Sequence, residues 1–296
     1  MRRVSILMNA YNSEKYLKEA IDSVYAQTFE NWEIIFIDNC STDRTKEIVE
    51  SYDDKIKYYK TEQNIPLGEA RNFGLQKCKA EYIAFLDTDD VWLEDKLEKQ
   101  IAMLDSEAEL QMCYGGVTYI DEASKKIGKN FPLALTGNVF PYQLRRYEIN
   151  MQTVLIRNNI EIKFNDEMKF SPDFDLFMKI SSQYQVGVLK IILANYRKLS
   201  NSLTSKTIHL WGIETEKTLN DIFEMRPILK DKYPNEYDLA YAKVGYYYAQ
   251  YYKSIGKHKE AQLALSKYRS LGYQYRILYI LSYFPTSFWN FIHRFK

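Results

Sequence analysis

Three carboxylates stand close together directly after a short apolar run of the sequence. Ile83–Leu86 has the composition of a buried strand, and Asp87, Asp89 and Asp90 follow it within four positions. Carboxylates this close repel one another and resist burial unless a cation balances them. A divalent cation such as Mg²⁺ or Mn²⁺, shared with the phosphates of a substrate, would supply that charge. The residues also suit an acidic turn before a helix over Leu93–Leu104, with Asp89 or Asp90 as N-cap, so both interpretations stay open here.

The elements around this cluster alternate between strand and helix. Such alternation predicts an α/β fold with a mostly parallel sheet that is flanked by helices on both faces. The strands are expected at Val4–Met8, Glu33–Ile37, Ile56–Lys60 and Tyr82–Leu86, and the helices at Glu14–Gln27, up to about Ser51, and after Pro66. In parallel sheets, ligands bind at the carboxyl ends of the strands. Those ends carry polar residues here, namely Tyr11, Asn12, Asp38, Asp87 and Asp89.

The bulk composition narrows the class of protein. The chain has 296 residues and a formal net charge of +1, which gives no indication of nucleic acid as a partner. Its three cysteines are widely spaced and form no metal or disulfide pattern, so a cytoplasmic location is expected. The amino terminus does not resemble a signal peptide, and no apolar run approaches the roughly 20 residues that cross a bilayer. Neither GxGxxG nor GxxxxGK[ST] is present, so carboxylates, a metal and an arginine would have to bind any nucleotide.

Four segments in a fixed order carry a resemblance to a known family. They are Val4–Asn12 with Glu14, Asp38–Thr45, Gly68–Gly74 and Phe85–Asp90. In this order and spacing they resemble the family 2 glycosyltransferases. The resemblance implies a GT-A fold (a Rossmann-like sheet flanked by helices) and an inverting transfer from a nucleotide-sugar. A UDP-sugar is the expected donor, and Mn²⁺ or Mg²⁺ is the expected cofactor.

The resemblance also assigns roles to the matched positions. The residues that would line the nucleotide pocket are Ala10, Tyr11, Asn12, Glu14 and Gly68. Asp38 would accept a hydrogen bond from the base, and Arg71 would approach the diphosphate. Asp87 would hold the ribose or join Asp89 as a metal ligand. These residue types suit those roles, because an ionised carboxylate only accepts hydrogen bonds and the planar fork of arginine fits phosphate oxygens.

Each of these residues, taken alone, also has a purely structural interpretation. Asp38 suits a helix cap, Arg71 suits a surface ion pair, and Tyr11 suits the core. Asp43 is explained most simply as a carboxylate at the start of a helix, where the helix dipole favours it. Cys40 stands where the family often has glycine, and a positive φ at that turn would cost a non-glycine residue about 1 kcal/mol or more.

A later segment matches the part of the family that holds the catalytic base. Lys169–Met178 resembles the family's Glu-Asp-aromatic-Asp-Leu-aromatic segment, so the resemblance assigns the base to Asp173, with Pro172 in place of the glutamate. A carboxylate at a helix start can take the proton of an acceptor hydroxyl. Asp173 also suits an N-cap for a helix over Phe174–Tyr184, and this alternative stays open.

Further strands are expected at Leu110–Cys113, Val117–Ile120 and Met151–Arg157. The segment Tyr196–Ser202 resembles a family segment that has a histidine where Leu199 stands. If that histidine ordinarily completes the metal shell, water or phosphate oxygens must replace it here, which Mg²⁺ tolerates.

Helical spacing replaces the strand pattern near Lys206. We therefore expect a catalytic domain over residues 1–205 and a helical extension over 206–296, with a hairpin formed by Leu239–Ser254 and His258–Arg269. The aromatic and cationic residues 275–296 suit a bilayer surface and also suit packing against the protein, so both interpretations remain open.

These observations predict a non-processive glycosyltransferase of bacterial surface glycan assembly, since the Gln-x-x-Arg-Trp motif of processive members is absent after Asp173. Its acceptor would be a glycan, lipid-linked or protein-linked, and the enzyme would work in the cytoplasm or on the inner membrane face. Two alternatives are a sugar nucleotidyltransferase and a scaffold that binds partners through its helical extension.

Overall fold

The architecture is that of a computed structural model, which describes residues 3–199 and 207–293. The described residues fall into two compact units, one within 1–139 and 148–200 and the other within 140–147 and 201–296. The second unit therefore includes a short segment from the middle of the chain.

The first unit is built on one mixed sheet with helices beside it. Its strands are β1 (Val4–Ala10), β2 (Trp32–Asp38), β3 (Ile56–Lys60), β4 (Tyr82–Phe85), β5 (Val91–Trp92), β6 (Leu110–Ile120), β7 (Lys126–Asn130), β8 (Leu155–Arg157) and β9 (Gln185–Arg197). Its helices are α1 (Leu17–Tyr25), α2 (Thr45–Glu50), α3 (Leu67–Leu75), α4 (Lys96–Ser106) and α6 (Pro172–Gln183).

The strands are ordered β3-β2-β1-β4-β8-β6-β9-β5 across the sheet, and β7 pairs with β6 at the side. The first four strands are parallel, with Val4 opposite Trp32 on one side and opposite Tyr82 on the other. This half is the parallel sheet that the alternation of strands and helices predicts. Beyond β4 the pairing is mixed, because β8 and β5 run antiparallel to their neighbours and β6 pairs with β9 in parallel.

The core of this unit follows the apolar spacing of the sequence. Helix α1 buries Leu17, Ala20, Ile21 and Val24, the residues that helical spacing places on one face. Strand β4 is buried along its whole length. Strands covered on both faces read as continuous apolar runs, and this is why the run before Asp87 carries no polar residue.

Several predicted boundaries are wrong for an identifiable reason. The helix expected at Leu93–Leu104 begins only at Lys96, because Val91–Trp92 pair with β9 and the Leu93 N–H donates to the Leu193 carbonyl. The strand expected at Met151–Arg157 is a turn of 3₁₀ helix over its first three residues, where the Asn150 side chain accepts from the Gln152 N–H. Only Leu155–Arg157 forms a strand.

The second unit is helical in its described part. Its helices are α5 (Phe140–Arg145), α7 (Ile208–Met225), α8 (Ile228–Lys232), α9 (Pro234–Ser254), α10 (His258–Ser266), α11 (Tyr273–Leu281) and α12 (Thr286–His293). The expected hairpin corresponds to α9 and α10, and Gly256 makes the turn between them at a φ of 76°. In the described residues, no helix combines the length and the apolar character needed to cross a bilayer.

Candidate active site

Asp87, two residues beyond β4, is held by buried side chains on two sides. Arg71 on α3 is 6% exposed, and its Nη2 lies 3.2 Å from Asp87 Oδ1. Gln152 is 1% exposed and makes two hydrogen bonds to Asp87. Its Nε2 donates to Asp87 Oδ2 at 2.6 Å, and its Oε1 accepts from the Asp87 N–H at 2.8 Å. The interpretation of Arg71 as a surface ion-pair partner is therefore wrong.

The two carboxylates that follow are difficult to ionise. Burial, and after it the charge of Asp87, raise the pKa of Asp89 to about 6. Burial and the charges of Asp89 and Asp87 also raise the pKa of Asp90 well above its ordinary value. Asp90 Oδ2 is buried and has no hydrogen-bond partner within the described residues. The turn therefore holds more negative charge than its surroundings compensate.

Arg197, the last residue of β9, fixes the shape of this acidic turn. Its backbone N–H donates to Asp90 Oδ1 at 2.7 Å, and its Nε donates to the carbonyl oxygen of Asp89 at 2.8 Å. Its Nη2 donates to Glu19 Oε2 at 2.6 Å. The interpretation of Asp89 or Asp90 as a helix N-cap is wrong, because α4 begins beyond both and Asp90 bonds to β9 instead.

The turn fits a divalent cation only with help from other oxygens. Across residues 3–199 and 207–293, no three carboxylate, imidazole or thiol groups lie close enough together to hold a metal by themselves. Leu199 supplies no ligand, and Ser200–Ser202 lie outside the described residues. The raised pKa of Asp89 is nevertheless what an uncompensated ligand would have. Mg²⁺ commonly uses one or two carboxylates together with water and phosphate oxygens, so Asp89 and Asp87 suit it.

Asp173 lies half-buried in the first turn of α6. Burial raises the pKa of Asp173, the positive charge of Arg71 opposes this rise, and the negative charge of Asp87 adds to it. Asp173 therefore shares one electrostatic environment with both residues. The N-cap of α6 is Ser171, so the interpretation of Asp173 as an N-cap is wrong.

Asp175, two residues further along α6, differs from Asp173. It is 1% exposed, and Lys179 Nζ lies 2.9 Å from its Oδ2. An ion pair between neighbouring turns of one helix accounts for this carboxylate as a structural element. Within the described part of the chain, Asp173 forms no such ion pair, and it lies near the negative charge of Asp87.

Asp38, at the end of β2, is fully buried and accepts hydrogen bonds at both carboxylate oxygens. The Ser41 N–H donates to Oδ1 at 2.7 Å, and the Tyr58 hydroxyl donates to Oδ2 at 2.6 Å. Burial and this contact raise the pKa of Tyr58. Asp38 thus closes the turn after β2, with both of its carboxylate oxygens hydrogen-bonded within the protein.

Polar side chains tie the loop after β1 to the loop after β2. Asn12 Oδ1 accepts from the Thr42 N–H at 2.8 Å, and Glu14 Oε2 accepts from the Arg44 N–H at 3.0 Å. Asp43 Oδ1 accepts from the N–H of Thr45, the first residue of α2, which agrees with its structural interpretation.

Three other predicted site residues lie at the same edge of the sheet or near it. Ala10 ends β1, and its carbonyl accepts from the Asn39 N–H at 2.8 Å. Tyr11 is 54% exposed, so its interpretation as a core residue is wrong. Gly68 lies in the first turn of α3, where an added Cβ would come within 3.1 Å of the Asn165 carbonyl oxygen.

Sequence reasoning did not single out Gln152 as a functional residue. The signal available was a glutamine inside the mostly apolar run Met151–Ile156. A glutamine in a buried segment needs hydrogen-bond partners, and Asp87 supplies them here.

Comparison with known proteins agrees with this architecture. The family described as "Glycosyl transferase family 2" matches residues 5–166, more than half of the chain. A β-1,3-glucosyltransferase of Escherichia coli, WfgD, is 31% identical over 206 residues, which are 68% of this chain and 79% of that protein. The putative teichuronic acid biosynthesis glycosyltransferase TuaG of Bacillus subtilis is 39% identical over 104 residues, 34% of this chain and 41% of that protein.

Solved structures show the same fold. TarS of S. aureus in complex with UDP aligns with a TM-score of 0.58 and 19% identity, covering 99% of this chain and 92% of that one. The mannosyltransferase PcManGT of Pyrobaculum calidifontis, in complex with GDP-Man and Mn²⁺, aligns with a TM-score of 0.58 and 15% identity. The alignment covers 95% of this chain and 84% of that one. The expected GT-A fold is thereby confirmed.

The name of TuaG assigns that relative to teichuronic acid biosynthesis, and the family match decides between the enzyme classes raised by the sequence. It supports a transferase rather than a sugar nucleotidyltransferase or a scaffold without activity. The chain belongs to glycosyltransferase family 2.

Proposed function

We propose that the chain is an inverting, non-processive transferase that moves a sugar from a UDP-sugar to a hydroxyl group of a growing surface glycan. The observation that carries this proposal is the shared environment of Asp173, Arg71 and Asp87 at the carboxyl edge of the parallel strands. A base, a cation for the diphosphate and an acidic turn are what a single displacement on a nucleotide-sugar requires. The proposed catalytic domain covers residues 1–205.

Asp173 is the proposed base. As the acceptor oxygen attacks the anomeric carbon, Asp173 would take the hydroxyl proton while the bond from that carbon to the nucleoside diphosphate breaks. The raised pKa of Asp173 suits this role, because a carboxylate that holds its proton more tightly is a stronger base. Burial is the main cause of the raised pKa of Asp173.

The departing diphosphate carries away the electron pair of the broken bond, and its negative charge needs compensation. Arg71 is buried and within 3.2 Å of Asp87, a position from which its remaining donors can meet phosphate oxygens. Asp89 and Asp87 would hold Mn²⁺ or Mg²⁺, which supplies positive charge for the leaving group when bound. The Mn²⁺ in the complex of the structural relative supports this choice of cofactor.

The remaining residues take the roles that the family resemblance implies. Ala10, Tyr11, Asn12, Glu14 and Gly68 would line the nucleotide pocket. Asp38 would accept a hydrogen bond from the base. A UDP-sugar donor is supported by the name of the E. coli relative, which transfers from UDP-Glc.

The acceptor we propose is lipid-linked, with a protein-linked glycan as the alternative. The name of the same relative gives a diphosphoundecaprenol-linked sugar as its acceptor. An enzyme with such a substrate would work in the cytoplasm and contact the inner face of the membrane peripherally.

Calorimetry with UDP, in the presence and absence of Mn²⁺, tests the donor site. We expect the native protein to bind UDP more tightly when Mn²⁺ is present. In the Asp89→Ala variant, Mn²⁺ should no longer strengthen UDP binding. Asp95→Ala is the matched control, since it removes a nearby carboxylate that pairs with Lys99 at the protein surface. A screen of nucleotide-sugars for release of free nucleoside diphosphate then identifies the donor. Absence of UDP binding in the native protein would overturn the proposal.

A further inference from the structure

The end of the second unit presents aromatic and aliphatic side chains to solvent. Tyr273 is 81% exposed, Ile280 51%, Tyr283 59%, Phe284 45% and Phe288 40%. Positions 273, 280 and 284 recur at helical spacing, so they lie along one side of α11 and its continuation. We call these five residues the aromatic surface. Exposed apolar residues so close together usually mark a contact site.

The opposite side of the same segment is anchored within the unit. Trp289 is 1% exposed and packs with Ala249, Ala261 and Leu265. Lys253, also 1% exposed, donates from Nζ to the carbonyl of Ser282 at 3.0 Å and to that of Phe284 at 2.6 Å. The segment is therefore packed on one side while its outer side remains apolar. The two interpretations of residues 275–296, packing and surface contact, are compatible.

Charge in the same region is strongly one-sided. Residues 253–296 contain eight lysines and arginines and a single acidic residue, Glu260, although the whole chain has a net charge of only +1. The exposed cationic residues in this part of the sequence are Lys257, Lys259, Lys267, Arg269 and Arg276. The Arg269 guanidinium lies 5.5 Å from the ring centre of Tyr279 on α11, which places one of these charges against the helix.

We propose that the aromatic surface and these cations bind the anionic headgroup region of a lipid bilayer. Tyrosine suits that region because its ring is apolar while its hydroxyl remains in water. Lysine and arginine add attraction to anionic lipids. The cores of protein interfaces are instead depleted in lysine, which disfavours a protein partner. The biological role of this contact rests on the proposed function, because it would bring the enzyme to lipid-linked acceptors, but the binding itself does not.

Co-sedimentation of the full chain with lipid vesicles tests the surface. Vesicles of phosphatidylcholine alone are compared with vesicles that also contain phosphatidylglycerol. We expect binding to the anionic vesicles that is at least about tenfold tighter than to the neutral ones and that weakens with added salt. Equal binding to both compositions, or none to either, would overturn the proposal.

Two pairs of substitutions separate the apolar from the ionic contribution. Ile280→Ser with Phe284→Ser should abolish sedimentation, whereas Met225→Ser, which alters a side chain 59% exposed on α7, should leave it unchanged. Lys267→Ala with Arg276→Ala should weaken binding by roughly fivefold per charge removed. Native-like sedimentation of the Ile280/Phe284 variant would contradict the assignment.

UDP binding, measured on the same variants without vesicles, keeps the two proposals apart. A variant that no longer binds vesicles but still binds UDP has lost only the function of the aromatic surface. Vesicle binding by a protein that does not bind UDP would leave the surface in place and remove the donor site.

Discussion

The amide of Gln152 meets Asp87 at two points, donating to its carboxylate and accepting from its backbone N–H. This contact fixes the rotation of the carboxylate as well as its position. Arg71 binds the other carboxylate oxygen, so the direction in which Asp87 faces a ligand is set before binding. Gln152 is therefore a positioning residue for the proposed nucleotide and metal site.

Gln152→Ala should lower transfer by about 10–100-fold, the usual effect of removing a residue that orients a metal ligand. It should also lower the free energy of unfolding by about 1–3 kcal/mol, because the Asp87 N–H loses its acceptor. Gln27→Ala is the matched control, since that buried glutamine also bridges backbone groups, at Leu93 and Leu97, away from the site. We expect it to lose stability and retain transfer. Equal effects of both variants on transfer, assayed well below their unfolding temperatures, would contradict the positioning role.

Asp173→Asn should retain UDP binding, but its rate of sugar transfer should fall by about 10²–10⁴-fold. The reason is that an amide cannot take the proton from the hydroxyl group of the acceptor substrate. Asp175→Asn removes a carboxylate from the same helix, but that carboxylate is paired with Lys179. The second variant should be less stable and still transfer sugar. Calorimetry with UDP and an assay of released nucleoside diphosphate measure the two properties separately. Normal transfer by Asp173→Asn would exclude Asp173 as the base.

Asp89→Asn should stabilise the metal-free protein at neutral pH. The pKa of this carboxyl is about 6 in the folded chain against 3.8 for an ordinary aspartate, so the folded state binds its proton more tightly than the unfolded state does. Ionised Asp89 therefore disfavours folding above about pH 6, and the penalty fades as the pH falls from there toward about 4. We expect a gain in unfolding free energy of about 1–3 kcal/mol at pH 7 that shrinks at acidic pH.

Urea unfolding in the presence of a chelator, at neutral and at acidic pH, measures this gain. Asp95→Asn serves as the control, because that carboxylate is exposed and paired with Lys99. A loss of stability at pH 7 in Asp89→Asn would contradict the interpretation of the turn as an uncompensated ligand site.

Cys40 adopts a φ of 63°, as the family glycine at this position suggests. Cys40→Gly relieves left-handed strain but gains freedom in the unfolded chain, so its unfolding free energy should stay within about 1 kcal/mol of the native value. Cys40→Val adds a branched side chain to the same backbone and should lose about 2 kcal/mol or more. Urea unfolding of the two variants gives the comparison. Equal stability of both would show that the turn relaxes without cost.

The parallel half of the sheet was predictable because its signals are local. Each apolar strand and its following helix can be recognised within a short window, and polar residues mark the strand ends. The acidic cluster was recognisable for the same reason. The interpretation of Asp90 failed because its partner, the N–H of Arg197, lies 107 positions away in the sequence.

The mixed half of the sheet also depends on contacts between residues that are far apart in the sequence. Val91 pairs with Asn195, and no local pattern distinguishes this short strand from the first turn of a helix. The contact of Gln152 with Asp87 likewise joins residues 65 positions apart. Such pairings are selected by tertiary packing, which residue spacing does not record.

The position of Arg197 also constrains the order of events during synthesis. Strands β1 to β4 leave the ribosome long before β9, and the turn after β4 gains its hydrogen bonds to Arg197 only when β9 has paired between β6 and β5. Segments far apart in sequence pair late, since closing the long intervening loop has an entropic cost. The acidic turn therefore reaches its final conformation only after the first unit has folded. A nascent or truncated chain that stops short of β9 would not present the proposed cation site in finished form, so competence for the proposed chemistry would be coupled to completion of the fold.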